Sequence, residues 1–518
     1  MRVKDFVAAD GAMEAYGNLG RSVTGLTQDS REVTEGSLFF AVPGVHVDGH
    51  EFAGDAVARG AAAVVLEREV RLPDGATWVK VPNIRRVMGK WAALFFRYPS
   101  RRMTLVGVTG TNGKTTVTYL LESIFSTGGW VPGVIGTVNY RYRDKTFSAP
   151  NTTPESLQLQ ALLAEMMEAG VQSVAMEVSS HALALERVRG VDFDGAVFTN
   201  LTRDHLDFHA DMESYFSAKE KLFTDCLAGS PKEKRFAVIH GEDPRGKTLL
   251  RKVRGMGVPA LSYGRGEGWD VRPVEVAADL EGLRGKIRMG ERSMDFSSRL
   301  LGWTNLENIL AAAGVGYALG LEPGVIAEGI ARLKSVPGRL ERIENRSGPT
   351  VLVDYAHTPD ALERALAQLR SFTRGRLITL FGCGGDRDRG KRPLMGEIAA
   401  RLSDLVVLTS DNPRSEGPLQ IIEEIEAGVK KTGMEKFSIS DFGFSISNLK
   451  SKILNLKLYF VEPDRRVAIR LAVSLARPGD LLLLAGKGHE DYQIVGSSRI
   501  HFDDREVARE ELGLLGRL

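Results

Sequence analysis

The chain has 518 residues, enough for three or four domains at ordinary domain size. It is 43% hydrophobic and 26% charged, a mix that supports sizeable buried cores. A net charge of +2 gives no footprint for a nucleic acid or polyanionic partner, and two cysteines, Cys226 and Cys383, give no disulfide framework. The opening stretch "MRVKDFVAADGAMEAYG" has no apolar core of a secretory signal. No apolar run approaches the roughly 18 residues that a membrane helix needs. A cytoplasmic protein is expected.

In chain order, a small first unit carries "SLFFAV" and "GAAAVVLE". From residue 103 a theme repeats: short apolar strand, glycine- or aspartate-rich turn, amphipathic helix. That alternation predicts parallel α/β domains whose ligands lie beyond the carboxyl ends of the strands. Strands are expected at "MTLVGV" (103–108), "VQSVAMEV" (171–178), "FDGAVFTN" (193–200) and "RFAVIH" (235–240). After "KSVPGRLERI" the theme restarts with "TVLVDYAHTP", "RLITLFGCGGDRDRG", "DLVVLTSDNPR" and "DLLLLAGKGHEDYQ". Boundaries near 102 and 338 divide the chain into 1–102, 103–338 and 339–518. Residues 444–460, "FSISNLKSKILNLKLYF", have no clean period and are expected to be irregular or a surface hairpin.

The first strand of the middle region runs into "GTNGKTT" and then a helix. Gly110 and Gly113 let backbone amides of Thr111 and Asn112 turn inward onto phosphate. Lys114 reaches the outer phosphates, Thr115 offers a hydroxyl to Mg²⁺, and Thr116 continues the helix start. The strict G-x-x-x-x-G-K-[ST] spacing is not met, because its first glycine falls on Val108. The context still points to a nucleoside triphosphate rather than an ordinary capped helix. It does not say how the phosphate is used. The guanine-reading N-K-x-D string is absent, and a kinase-like NTPase stays open at this point.

Glu177, at a strand end in "AMEVSSHAL", could hold Mg²⁺. His205 and His209 in "NLTRDHLDFH" have the four-residue spacing of a helical metal pair, but a zinc site needs a third ligand, so a polar turn near Mg²⁺ and phosphate is expected. Lys219 and Lys221 in "YFSAKEKLF" sit on an amphipathic helix, and composition alone expects solvated lysines.

The ordered motifs "TQDSREV", "GVTGTNGKTTV", "NTTPE", "AMEVSSHAL", "TNLTRDHLDFH", "YFSAKEKLF", "NLENILAA", "VPGRLERI", "VDYAHTPDALE", "FGCGGDRDRGKRPLM", "DNPRSE" and "AGKGHEDYQ" resemble the Mur ligases of bacterial cell-wall synthesis over nearly the whole chain. The resemblance implies three α/β domains: a UDP-binding first domain, a central parallel-sheet P-loop ATPase, and a C-terminal Rossmann-like domain. It implies an ATP- and Mg²⁺-dependent ligase that makes an amide bond through an acyl phosphate. The substrates would be UDP-MurNAc-L-Ala-D-Glu and meso-diaminopimelate, and the enzyme a cytoplasmic monomer with no nucleic acid partner and no membrane insertion.

By the same resemblance, Gln28 and Ser30 contact uridine, although the usual Leu is Gln28 here. Asn151, Thr152, Thr153, Ser179 and Arg187 contact the muramoyl-peptide, with Leu185 where many relatives carry Gln. Lys219 matches a lysine that becomes N-carboxylated, and as a carbamate it would join Thr115, Glu177 and His205 around the metal. Asn308, Arg339 and Asp354 match ATP contacts, with His357 beside them. Lys114 and Arg339 would neutralise the charge that gathers during phosphoryl transfer.

Three strand-end turns of the last region supply Arg387, Asp411 to Arg414 (through Asn412 and Pro413), Gly486 and Glu490. Singly, Arg387 reads as a solvated loop residue and Glu490 as a helix N-terminal carboxylate. Together they read as one polar pocket. An Arg fork there pairs with the distal carboxylate of diaminopimelate and repels the lone distal ammonium of lysine. "DNPR" is also the family's diaminopimelate signature. A lysine-adding ligase, a folylpolyglutamate synthetase-like enzyme, and an NTP-driven switch without ligase chemistry are the competing readings.

Overall fold

The computed structural model describes residues 1–10, 14–44, 47–437 and 457–518. Three sheets follow one another along the chain. The first has five strands, in the spatial order Glu14–Tyr16, Trp78–Lys80, Ala63–Leu66, Ser37–Phe40 and Gly25–Thr27, parallel except for Glu14–Tyr16. Helix Ile84–Phe95 starts at the Asn83 side-chain cap and buries Ile84, Val87, Met88 and Trp91 in the core beside it.

The second sheet has eleven strands. At its centre Thr104–Thr109 lies between Ser173–Glu177 and Gly195–Phe198, all parallel, so that Glu177 pairs with Val108 and Phe198 with Thr109. Phe236–His240 and Ala260–Tyr263 extend the parallel part, and antiparallel ribbons finish both edges. The central strands are buried along nearly their whole length, which is why they read as continuous apolar runs rather than alternating ones.

The third sheet has seven strands; Thr350–Asp354, Leu481–Ala485, Leu377–Phe381, Leu405–Leu408 and Leu458–Val461 are successive parallel neighbours. One expectation is corrected here. The end of the 444–460 segment is neither irregular nor a surface hairpin, since Leu458, Tyr459 and Phe460 are buried in a parallel strand beside Leu405–Leu408. Residues 444–456 lie outside the described residues. Among the described residues no helix is long and apolar enough to cross a membrane.

The carboxyl ends of the second and third sheets are where the chain becomes polar. The phosphate loop follows Thr104–Thr109, and Glu177 ends its neighbour. Asp354, "DNPR" and "GKGHE" follow strands of the third sheet.

Candidate active site

The glycine loop is shaped by close approach. Gly110 has φ +144°, and a Cβ there would lie 1.9 Å from Thr199 Oγ1. Gly113 has φ +88°, and a Cβ would lie 2.3 Å from Asn308 Oδ1, so a side chain is excluded both by conformation and by space. The Asn200 side chain accepts from Asn112 N at 2.9 Å, and Thr111 Oγ1 accepts from Thr202 N at 3.0 Å, which pins the loop to the neighbouring strand end. Lys114 opens helix Lys114–Thr127 and donates to the carbonyls of Gly110 (3.0 Å) and Thr111 (2.9 Å). Burial lowers its pKa, against the pull of Glu177 and Asp204.

Glu177 is buried, and both its oxygens are held by Thr137: Oε1 by the backbone N–H at 2.9 Å and Oε2 by the hydroxyl at 3.0 Å. Lys219 corrects the expectation of a solvated lysine. It is 1% exposed, donates to Gly110 O at 2.8 Å and lies 4.4 Å over the Tyr215 ring. Burial, reinforced by Lys114, drives its pKa well below that of a free lysine. Lys221 does stay at the surface, 3.9 Å from Glu186.

His205 and His209 are not a helical pair. They belong to a turn with His205 at φ +54°, and helix Met212–Lys221 begins only after them. His205 lies 3.5 Å from Asp204 and edge-on to His181 at 4.9 Å. Burial lowers the pKa of His205 and takes His181 down to about 4.

A cleft of about 400 Å³ gathers most of the expected residues. The loop residues Thr111 to Thr116 form its floor; Glu177, His205, Asn151, Thr152, Ser179 and Arg187 form one wall. Asn308, Arg339, Asp354 and His357 form the other. Arg339 reaches across the two sheets, with Nη2 donating to Thr115 Oγ1 at 3.3 Å and its guanidinium 4.8 Å over Tyr355. Asp354 accepts from Leu340 N (2.7 Å) and Ala356 N (2.8 Å), and burial raises its pKa. Asn308 donates to Asn305 Oδ1 at 3.0 Å. His357 Nδ1 lies 2.8 Å from Tyr355 O, and burial lowers its pKa.

Gly110 and Lys219 do not line this cleft, and Thr153, Leu185, Gln28 and Ser30 also stand outside it. Thr153 lies behind it, its hydroxyl donating to Glu177 O at 2.9 Å and accepting from Ser179 N at 3.1 Å, so it braces two lining residues. Leu185 ends the short helix Ser180–Ala184. Gln28 and Ser30 follow strand Gly25–Thr27 of the first sheet, Ser30 opening the turn Ser30–Glu32 that Asp29 caps.

The third-sheet turns form a second polar cluster. Asp411, Asn412 and Pro413 are buried, and Arg414 is held at φ +52° by backbone hydrogen bonds to the hairpin Tyr492–His501: Arg414 N to Ile494 O at 3.1 Å and Gly496 N to Arg414 O at 2.8 Å. A Cβ on Gly384 would lie 2.9 Å from Arg414 Nη1 and 3.8 Å from Arg387 Cγ, so the two arginine side chains flank one glycine. Gly486 has φ +109°, and a Cβ would lie 2.6 Å from Asp411 Oδ2. Glu490 accepts from Asn412 Nδ2 at 2.9 Å; burial, then Asp411, raises its pKa. It caps no helix, because strand Tyr492–Val495 follows.

Sequence reasoning passed over Thr137, His181, Asp204 and Lys487. Thr137 lies in no motif; His181, Asp204 and Lys487 lay in plain view in "AMEVSSHAL", "NLTRDHLDFH" and "AGKGHE", and Lys487 is fully buried.

A glycine phosphate loop facing a second, Rossmann-like sheet across one cleft defines a nucleotide-driven ligase of the three-sheet kind. The chain belongs to the Mur ligase family. Residues 22–96 match the Mur ligase family catalytic domain, 108–316 the Mur ligase middle domain, and 338–488 the Mur ligase glutamate ligase domain. Relatives include the UDP-N-acetylmuramoyl-L-alanyl-D-glutamate–2,6-diaminopimelate ligases of Geobacter metallireducens (50% identical, 98% of this chain and 97% of that protein) and Geobacter sulfurreducens (48% identical, 98% of each). A solved structure of a ligase with the same name matches with TM-score 0.71 and 30% identity over 100% of both chains. A MurF ligase of Thermotoga maritima in complex with ADP shares the fold, with TM-score 0.58 and 20% identity over 90% of this chain and 94% of that one.

Proposed function

We propose that the chain uses ATP to join meso-2,6-diaminopimelate to the D-Glu side-chain carboxylate of UDP-MurNAc-L-Ala-D-Glu, in cytoplasmic peptidoglycan precursor synthesis. The observation that carries this reading is the pair Arg387 and Arg414 flanking Gly384 beside the Asp411–Glu490 cluster. A guanidinium fork suits a carboxylate, and a neighbouring anionic cluster suits an ammonium. The distal centre of diaminopimelate carries both.

The reading divides the chain into a UDP-binding unit (1–102, with Gln28 and Ser30), an ATPase unit (103–338) and an amino-acid unit (339–518). In the cleft, Lys114 and Arg339 face the β- and γ-phosphates, Asn308 and Asp354 hold the nucleoside end, and Asn151, Thr152, Ser179 and Arg187 orient the dipeptide carboxylate. That carboxylate attacks the γ-phosphorus and ADP leaves. The amine then attacks the acyl carbon, inorganic phosphate leaves and the amine gives up a proton. The two cations offset the charge that develops in the first step. The approach of both sheets to one cleft sets the reactants in line.

The donor set fits Mg²⁺: the Thr115 hydroxyl and the Glu177 carboxylate line one face of the cleft, with His205 beside them. The ion would neutralise phosphate oxygens. Lys219 adds a further argument. Burial that lowers the pKa of an amine favours its neutral, nucleophilic form, which can add CO₂ and lose a proton to become an anionic carbamate suited to a hard cation.

The test is ADP release by the full chain with ATP, Mg²⁺ and the UDP-dipeptide, with and without diaminopimelate. Release that requires both substrates, with one new amide in the product, supports the reading. Hydrolysis indifferent to every amino acid overturns it in favour of an NTP-driven switch.

A further inference from the structure

One buried cation has no part in the reaction as set out above. Lys487 follows strand Leu481–Ala485 and has no exposed surface. Its ammonium lies 3.3 Å from Glu490 Oε2, 3.4 Å from Asn412 Oδ1, 4.0 Å from Asp411 Oδ1 and 5.6 Å from the Tyr492 ring centroid. A buried ammonium is tolerated only with counter-charge and hydrogen bonds, and here it has both.

The charge count is informative. Two carboxylates and one ammonium leave a single surplus negative charge. Arg465 also faces the cluster and is already committed: it binds Asp504 through two nitrogens and also donates to Ser410 O and Ala485 O; His489, beside Lys487, is taken down to a pKa of about 3 by burial and adds no charge. Tyr355, Tyr492 and Cys383 also face these acids, and burial pushes their pKa values up, so they stay neutral. Two neighbouring buried carboxylates without a cation cannot both ionise easily. Burial and Asp411 already raise the pKa of Glu490, and Lys487 opposes that rise.

We propose that Lys487 is the positioning residue of the amino-acid pocket: it lets the buried Glu490 carboxylate stand ionised beside Asp411, so that both acids receive the ammonium of the incoming amino acid while Arg387 and Arg414 face its carboxylate. The inference rests on the ligase reading above. It makes the pocket a preset receptor for a zwitterionic centre rather than a set of independent contacts.

The test uses the full chain, the UDP-dipeptide, ATP and diaminopimelate, with KM and kcat followed between about pH 6 and about pH 9. Removing the lysine lets Glu490 keep its proton at low pH, which leaves the net charge of the cluster as in the wild-type chain but takes away one of the two carboxylates that accept from the ammonium. Lys487→Met is therefore expected to raise the KM for diaminopimelate by about tenfold or more at the acid end, with the gap closing as pH rises, while the KM for ATP stays within about twofold. Asp411→Asn combined with Lys487→Met leaves Glu490 without a like-charged neighbour and is expected to flatten the pH dependence. Lys487→Gln, which keeps a hydrogen-bond donor without charge, is measured beside them, with thermal unfolding as the folding control.

A folded variant with an unshifted diaminopimelate KM and a flat pH profile overturns the proposal, as does a fall in kcat alone. Unfolding of both single variants makes the lysine a stability element and also overturns it. A wild-type chain that turns over no diaminopimelate overturns the ligase reading and the inference together.

Discussion

Arg465 and Asp504 form a salt bridge in which neither side chain is exposed. Arg465 Nε and Nη2 reach the two carboxylate oxygens at 2.7 and 2.6 Å, while Nη1 and Nη2 donate to Ser410 O (3.2 Å) and Ala485 O (3.0 Å). It thus ties helix Asp504–Leu514 to the strand ends that carry "DNPR" and "GKGHE". Arg465→Met leaves the Asp504 charge buried and unpaired, a loss of about 3–5 kcal/mol for a pair of this kind. For a unit of 150–250 residues that corresponds to a fall of roughly 6–20 °C in the unfolding midpoint. Differential scanning calorimetry of the full chain reads it as one transition moving down. Arg465→Met with Asp504→Leu removes both charges and is expected to recover much of the loss, because an apolar pair of similar volume is often no worse than a buried ion pair. A shift below about 1 kcal/mol in the single variant would refute the claim that this bridge holds the strand ends.

Lys219→Ala is expected to lower ligase activity by about a hundredfold, with formate or acetate restoring part of it; full activity without an added anion contradicts the carbamate reading. Gly113→Ala forces a Cβ to 2.3 Å from Asn308 Oδ1 at φ +88°, and the KM for ATP should rise by about tenfold or more while the chain stays folded; an unchanged KM contradicts the placement of the loop. Glu416 accepts from Arg392 at 2.9 and 2.8 Å and from Asp386 N at 2.6 Å, with Arg392 the largest cause of a pKa lowered to about 2. Its folded pKa is depressed, so its contribution is complete above the unfolded value and is lost as pH falls from about 4.5 towards about 2. Urea unfolding of Glu416→Gln should show a flatter acid limb over that window, and an acid limb identical to wild type contradicts the assignment.

The alternation of strand, turn and helix made most of the architecture legible, because parallel strands buried on both faces write themselves as apolar runs such as "LLLLA". Glycine and proline marked the loops that border the cleft and the polar cluster. Burial created by packing was less visible. Lys219 lies on a helix whose sequence looks half-solvated, and only the approach of Gly110 and Tyr215 shows that its amine is enclosed. The four-residue spacing of His205 and His209 imitates a helical pair, yet the positive φ of His205 bends the chain before the helix begins. Lys487 escaped because a lysine between two glycines reads as a loop residue, while its ammonium is met by Asp411 and Asn412 from another strand end. The strand Leu458–Val461 was masked by the lysine-rich run before it.

The most direct test of the central claim is a competition: equal concentrations of meso-diaminopimelate and L-lysine offered to the full chain with ATP, Mg²⁺ and the UDP-dipeptide, and the tripeptide products separated by mass. The diaminopimelate product should exceed the lysine product by about tenfold or more, and Arg414→Ala should bring the ratio towards one, since a charge-assisted pair contributes about 1.5–3 kcal/mol. A lysine product equal to or greater than the diaminopimelate product in the wild-type chain would contradict the account.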